Sequence, residues 1–155
     1  MYTIKTENEN ETMEFGQHLA TKLQAGDVIT LDGDLGAGKT TFTKGLAKGL
    51  GVKRTVNSPS FTIIKEYMGE NFPLYHMDVY RLENSYEDIG FEEYFHSDGI
   101  TVVEWSTFIE EFLPDHLLKI EINKEGENKR RITLTPVGER FEIICKELKD
   151  DHTSN

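Results

Sequence analysis

Apolar positions recur along this chain at two different periods, and the switches between them mark its elements. Residues 27–32, Asp-Val-Ile-Thr-Leu-Asp, make a short β-branched apolar run that predicts a buried strand. After a glycine-rich stretch, Phe42, Leu46, Ala47 and Leu50 fall at helical spacing and predict a helix over 41–50. Upstream, Met13, Phe15, Leu19, Ala20 and Leu23 predict another helix over 11–24, capped by Asn10 or Thr12 and ended by Gly26. Residues 2–5 read as a short edge strand before it. Downstream, 61–67 and 72–81 read as strands joined by a turn at 68–71. In the second of these, Leu74, His76, Asp78 and Tyr80 share one face, and Tyr75, Met77 and Val79 the other. Residues 83–96 carry Tyr86, Ile89, Phe91, Tyr94 and Phe95 among acids, which predicts one or two short helices interrupted by Gly90. An apolar strand over 100–105 contains the acid Glu104, and a short helix over 106–113 is closed by Pro114. Residues 117–123 and 130–135 alternate as a hairpin, a last helix runs from 136 to 148, and 149–155 read as a frayed polar tail. The pattern describes one domain over 1–148, with neither repeats nor a second boundary.

The stretch between the first strand and its helix carries the chemistry. Gly33-Asp34-Leu35-Gly36-Ala37-Gly38-Lys39-Thr40 fits G-x-x-x-x-G-K-[ST], the phosphate-binding loop, in its required setting of strand, loop and helix. Gly33, Gly36 and Gly38 free the backbone to approach a ligand, and its N–H groups can then point at anionic oxygens. In this motif Lys39 reaches the β- and γ-phosphates, and the Thr40 hydroxyl sits on Mg²⁺. Thr41, next in line, is a candidate for the α-phosphate. Asp34, Gly36, Ala37, Gly38, Lys39, Thr40 and Thr41 are therefore the expected nucleotide contacts.

Two carboxylates stand out against this loop. Residues 100–104 have the form of a Walker B element, a buried strand delivering an acid to the Mg²⁺ shell, with Glu104 where Asp is usual. Asp78 shares a strand face with His76 and can orient a water or hold a magnesium-bound one; His76 itself reads as a satisfied, semi-buried histidine. Trp105 follows Glu104 and either walls the site or simply packs. The cluster Asn57-Ser58-Pro59-Ser60-Phe61-Thr62 is either a turn into a strand or a switch-like loop placing hydroxyls near a γ-phosphate. Residues between Thr6 and Thr12 are candidates for contacting the base. Lys129, Arg130 and Arg131 are the densest basic spot, and a solvated turn is the plainer account of them.

Composition narrows the setting. The chain has 155 residues, a formal net charge of −11 and a single cysteine, Cys145. That charge argues against a broad basic surface gripping nucleic acid unaided. One cysteine forms no internal disulfide and predicts a buried thiol. With no apolar run long enough for a membrane span and no secretion signal, a cytoplasmic protein without membrane contact is expected.

Four blocks occur in order: 33–41, Ser58-Pro59-Ser60-Phe61-Thr62, Tyr75-His76-Met77-Asp78-Val79-Tyr80-Arg81 and Val102-Val103-Glu104-Trp105. Together, over residues 2–148, they resemble the TsaE family, the bacterial P-loop ATPases of tRNA threonylcarbamoyladenosine biosynthesis. The resemblance implies an α/β P-loop nucleotide-binding fold with a mixed central sheet flanked by helices. It implies ATP as nucleotide, Mg²⁺ held by Thr40 and Glu104, and Lys39, Asp78 and Glu104 as catalytic residues. It further implies a switch-like segment over 58–62 and Trp105 at the nucleotide pocket. TsaD and TsaB would be the partners, with tRNA met only indirectly, and ATP hydrolysis would reset the complex rather than transfer the threonylcarbamoyl group. Ser60, where the family often has Thr, keeps the hydroxyl. Two other classes fit a P-loop. A small-molecule kinase would need an acceptor pocket and usually a basic lid, at which only 129–131 hint. A GTP-dependent switch would usually carry Asn-Lys-x-Asp, and Asn123-Lys124-Glu125-Gly126 lacks its aspartate. A non-catalytic nucleotide signal for docking is the remaining alternative.

Overall fold

The computed structural model describes residues 1–33, 36–54, 56, 64–79, 91–104 and 106–153, apart from the side chains of 91–92, 107–109 and 153. In chain order the elements are β1 (Tyr2–Thr6), α1 (Glu9–Ala20), β2 (Val28–Gly33), α2 (Lys39–Gly49), β3 (Ile64–Met68) and β4 (Pro73–Asp78). Then follow α3 (Phe91–Phe95), β5 (Ile100–Glu104), a 3₁₀ helix (Ser106–Phe112), β6 (Leu117–Lys124), β7 (Arg130–Val137) and α4 (Glu139–Thr153). The strands among the described residues form one mixed sheet, ordered β1-β7-β6-β2-β5-β4-β3. Its centre is parallel, with β2 between β6 and β5 and with β4 beside β5. Antiparallel hairpins extend it at both sides through β6–β7 and β3–β4, and β1 closes one edge against β7. The expected α/β architecture of a mixed sheet flanked by helices is what the chain adopts.

The parallel strands are buried on both faces, which is why β2 and β5 read as continuous apolar runs rather than alternating ones. On one face Ile29, Leu31, Val102, Ile120 and Ile122 pack under Phe15 and Leu19 of α1, Phe42 and Leu46 of α2, and Ile144 and Leu148 of α4. On the other, Val28, Met77, Val103 and Leu117 pack with Phe95 of α3, and Phe112 of the 3₁₀ helix joins them. Cys145 is fully buried in the first layer, and its burial pushes the thiol up to about 12.

Both ends of α1 and both ends of α4 differ from the sequence reading. Helix α1 starts two residues earlier, capped by Asn8, whose Oδ1 accepts from Glu11 N at 2.9 Å. Thr12 cannot be the cap because it lies inside the helix, its hydroxyl 2.7 Å from that of Thr6. The helix also ends at Ala20 rather than running to Gln24, with the Thr21 hydroxyl on the His18 carbonyl; Leu23 reaches the core from a turn. Helix α4 begins after Gly138, because Pro136 and Val137 complete β7, and it continues past Leu148 to Thr153. Lys149 donates to the Thr3 carbonyl at 2.6 Å, and Asp151 meets His18 at 2.8 Å, so this last turn is tied down. No helix among the described residues is long and apolar enough to cross a membrane.

Candidate functional site

The site is built where the parallel strands β2, β4 and β5 end. Helices start and parallel strands finish at this edge, which is where open α/β sheets take their ligands. β2 leads into the loop at Gly33, whose φ of 146° and whose closeness to β6 both demand glycine. A Cβ there would stand 2.1 Å from the Ile122 carbonyl oxygen. Gly38, at φ 105°, is the N-cap of α2 and offers no side-chain acceptor to that helix's first N–H groups. Those donors, with the partial positive charge of the helix end, suit an anion. Ala37 is buried beneath the loop, and Thr40 and Thr41 are half-buried on the first turn of α2.

Lys39 turns inward from that turn. Its ammonium is buried, 3.3 Å from the Gly33 carbonyl and 3.8 Å from Oε1 of Glu104. Glu104 arrives from the last residue of β5 and is itself buried. The β4–β5 register sets Asp78 directly across from Glu104, so the two carboxylates stand side by side at the sheet edge. In-register neighbours in a parallel pair present side chains on the same face. His76 lies two residues before Asp78, and its Nε2 is 2.6 Å from Oε2 of Glu104. It is fully buried, and its Nδ1 has no hydrogen-bond partner among the described residues. The semi-buried, satisfied histidine read from the sequence is thus a fully buried one, satisfied at one nitrogen.

The loop is covered from a side that the sequence did not assign to it. The β6–β7 turn folds over the glycines, and Arg130 Nε donates to the Ala37 carbonyl at 2.7 Å. Its NH1 donates to the carbonyls of Gly126, Glu127 and Lys129, bracing the turn. A Cβ at Gly36 would lie 3.6 Å from Lys124 Nζ, and one at Gly38 3.7 Å from Arg130 Nε. Of the basic run, then, Arg130 belongs to the site. Lys129 instead pairs with Glu7 and Arg131 with Glu125. A cleft of about 240 Å³ opens beside the loop, lined by Glu9, Thr12, Gly36, Gly38, Thr41, Asn128 and Arg130. Thr41 and Glu9 are hydrogen-bonded across it at 3.4 Å. The basic cluster 129–131 was the available signal for this wall, but alternation along a hairpin does not say what its turn covers.

The chemistry of this donor set can be stated from the residues. The glycine cradle, α2's first N–H groups, Lys39 and Arg130 are suited to phosphate oxygens. Thr40 and Glu104 offer hard oxygen donors of the kind magnesium takes. No cluster of three or more His, Cys, Asp or Glu side chains among the described residues could hold a metal alone. A cation here would therefore share its shell with phosphate, as magnesium commonly does. Asp34, Trp105, the 58–62 segment, Tyr80 and Arg81 lie outside the described residues.

Comparison with known proteins places this arrangement. The family model described as threonylcarbamoyl adenosine biosynthesis protein TsaE matches residues 6–132. A tRNA threonylcarbamoyladenosine biosynthesis protein TsaE from Bacillus subtilis (strain 168) is 55% identical over 152 residues, covering 97% of this chain and 96% of the relative. The protein of that name from Streptomyces coelicolor is 40% identical over 137 residues, covering 83% and 92%. The one from Treponema pallidum is 39% identical over 126 residues, covering 80% and 93%. Among solved structures, that of Bacillus subtilis YdiB superposes with a TM-score of 0.82 at 48% identity, covering 99% of this chain and 96% of that one. A family model spanning most of the chain, near-full-length relatives and a matching fold together establish that this chain belongs to the TsaE family of threonylcarbamoyl adenosine biosynthesis proteins.

Proposed function

We propose that this protein is the ATP-binding and ATP-hydrolysing component of the bacterial tRNA N6-threonylcarbamoyladenosine machinery, acting with TsaD and TsaB. In this reading it resets the complex between turnovers and does not transfer the threonylcarbamoyl group itself. The observation that carries it is the convergence of Lys39, Glu104 and Asp78 at one sheet edge: Lys39 Nζ 3.8 Å from Glu104, and Asp78 paired in register with Glu104.

Phosphoryl transfer asks chiefly for positioning and for neutralised charge. The backbone N–H groups of 36–40 cradle the phosphates, and Lys39 takes the β,γ-bridging region. Thr40 and Glu104 would hold magnesium, which when bound would neutralise charge on the phosphate oxygens. Asp78 would orient the attacking water. Arg130 braces the loop through the Ala37 carbonyl. The cleft beside Glu9, Thr12 and Thr41 takes the base. A formal net charge of −11 suits contact with tRNA through partners rather than by the chain's own surface.

The test is ATP hydrolysis by the purified protein, alone and with a TsaB–TsaD pair, with Lys39→Ala as control. A slow basal rate that the pair raises and the substitution abolishes is the expected result. A rate indifferent to the pair would leave a nucleotide-binding loop but remove the proposed role.

A further inference from the structure

Glu104 is held from two sides by groups of different character. Register pairs His76 with Val102 and Asp78 with Glu104, so all four side chains lie on the sheet face that α2 covers. On that face the His76 ring is completely buried, with Nε2 2.6 Å from Glu104 Oε2 and Nδ1 without a partner among the described residues. These two facts select the tautomer. A proton on Nε2 gives a donor facing a carboxylate oxygen and leaves Nδ1 as a bare lone pair. The opposite tautomer would set a nitrogen lone pair against that oxygen at 2.6 Å and bury an unpaired N–H as well. The other oxygen of Glu104, Oε1, faces Lys39 Nζ at 3.8 Å.

We propose that His76 is a positioning residue for the Glu104 carboxylate: it clamps Oε2, so that Oε1 stays aimed at the loop where Lys39 and the metal work. This rests on the reading of Glu104 as a magnesium ligand given above. The physical case is a cost that packing does not explain. Position 76 sits between Leu74 and Met77, both fully buried, on a strand in the sheet interior, where an aliphatic side chain would leave no orphaned nitrogen. Supporting hydrogen bonds of this kind orient metal-binding side chains, and their removal typically costs about 10–100-fold in metal affinity.

The experiment titrates magnesium against binding of a fluorescent ATP analogue to the full chain, for the unmutated protein, His76→Leu and His76→Gln. His76→Leu keeps the bulk and removes the donor, whereas the Gln amide brings an N–H close to the position of Nε2. The expected result is a rise of about 10–100-fold in the magnesium needed for half-maximal binding in His76→Leu. Binding in EDTA should change less than about threefold, and His76→Gln should recover most of the loss. A folded His76→Leu with unaltered magnesium dependence overturns the inference and leaves the proposed function intact. An unmutated protein whose nucleotide binding ignores magnesium overturns both. Should His76→Leu not fold, ¹⁵N-histidine NMR of the unmutated protein decides the matter. A proton on His76 Nε2, with and without magnesium and nucleotide, is expected; a ring whose one proton sits on Nδ1 refutes the clamp.

Discussion

Helices α1 and α2 touch backbone to backbone through Gly16 on α1 and Gly45 and Gly49 on α2, and Gly45 makes the tightest of these contacts. A Cβ built on Gly45 would lie 2.0 Å from the carbonyl oxygen of Met13 and 2.8 Å from its carbon. Cβ atoms essentially never come within 3.0 Å of such neighbours, so Gly45→Ala requires the helices to part by about 1 Å. The obstacle is backbone, so no rotamer change relieves it. Separation would loosen the layer between them, where Phe15 and Phe42 have ring centroids 6.0 Å apart. Two terms of opposite sign compete. Alanine in a helix interior gains about 1 kcal/mol over glycine. Overpacking costs about 1–3 kcal/mol, and a clash with fixed backbone belongs at the upper end. The net is a loss of about 2 kcal/mol, or about 4–8 °C in Tm for a domain of this size. Urea denaturation followed by circular dichroism reads it directly as a fall in midpoint at constant slope. Gly126→Ala is the control, since its nearest neighbour would be Lys129 Cβ at 3.7 Å. Because Lys39 is the first residue of α2, the same substitution should also weaken nucleotide binding. A Gly45→Ala protein as stable as the parent would refute the reasoning, since propensity alone would then decide the outcome.

Other substitutions probe separate parts of the molecule. Arg140 holds the buried Asp27 carboxylate bidentately, its NH2 2.8 Å from Oδ2. Arg140→Leu strands that charge and should cost about 2–3 kcal/mol in urea melts, partly recovered when Asp27→Asn is added. Arg130→Gln removes the brace on the Ala37 carbonyl. It should weaken nucleotide binding about tenfold, the scale of one charge-assisted hydrogen bond, and shift Tm by no more than about 2 °C. Cys145, with its thiol pushed up to about 12, should resist thiol-specific reagents at pH 8 in the native protein and react about a thousandfold faster in urea. The sign for stability is fixed by the same shift. Protonated in the fold and ionised in the unfolded chain, Cys145 favours folding below about pH 9 and withdraws that support as pH climbs toward 12. Cys145→Ala should therefore flatten the alkaline end of the stability profile.

What the sequence made legible was whatever is encoded locally. The loop from Gly33 to Thr40 is specified by three closely spaced glycines, one lysine and one hydroxyl, and strand β2 and helix α2 flank it as their periods predict. Glu104 was legible for the same reason, as the polar end of an uninterrupted apolar strand. Arg130 was not. Its contact with Ala37 spans 93 residues and depends on β6 lying beside β2, a pairing of parallel strands that no local pattern specifies. The glycine contact between α1 and α2 hid likewise, because Gly45 reads in sequence as a weak point in a helix rather than as a condition for packing.

His76 shows the limit most sharply. Extended-chain alternation put it on one face with Asp78, which the strand β4 does. Alternation could not tell that β4 and β5 are parallel neighbours, nor that their register offsets His76 from Glu104 by one step on a shared face. The offset turns an ordinary buried histidine into the donor that orients an acid 28 residues away. Two residues carry the consequence: move β4 by one position and His76 would point to the opposite layer, and the Glu104 carboxylate would keep Lys39 but lose its second anchor. The register of two parallel strands, rather than the loop motif itself, therefore decides how the acid beside the loop is aimed.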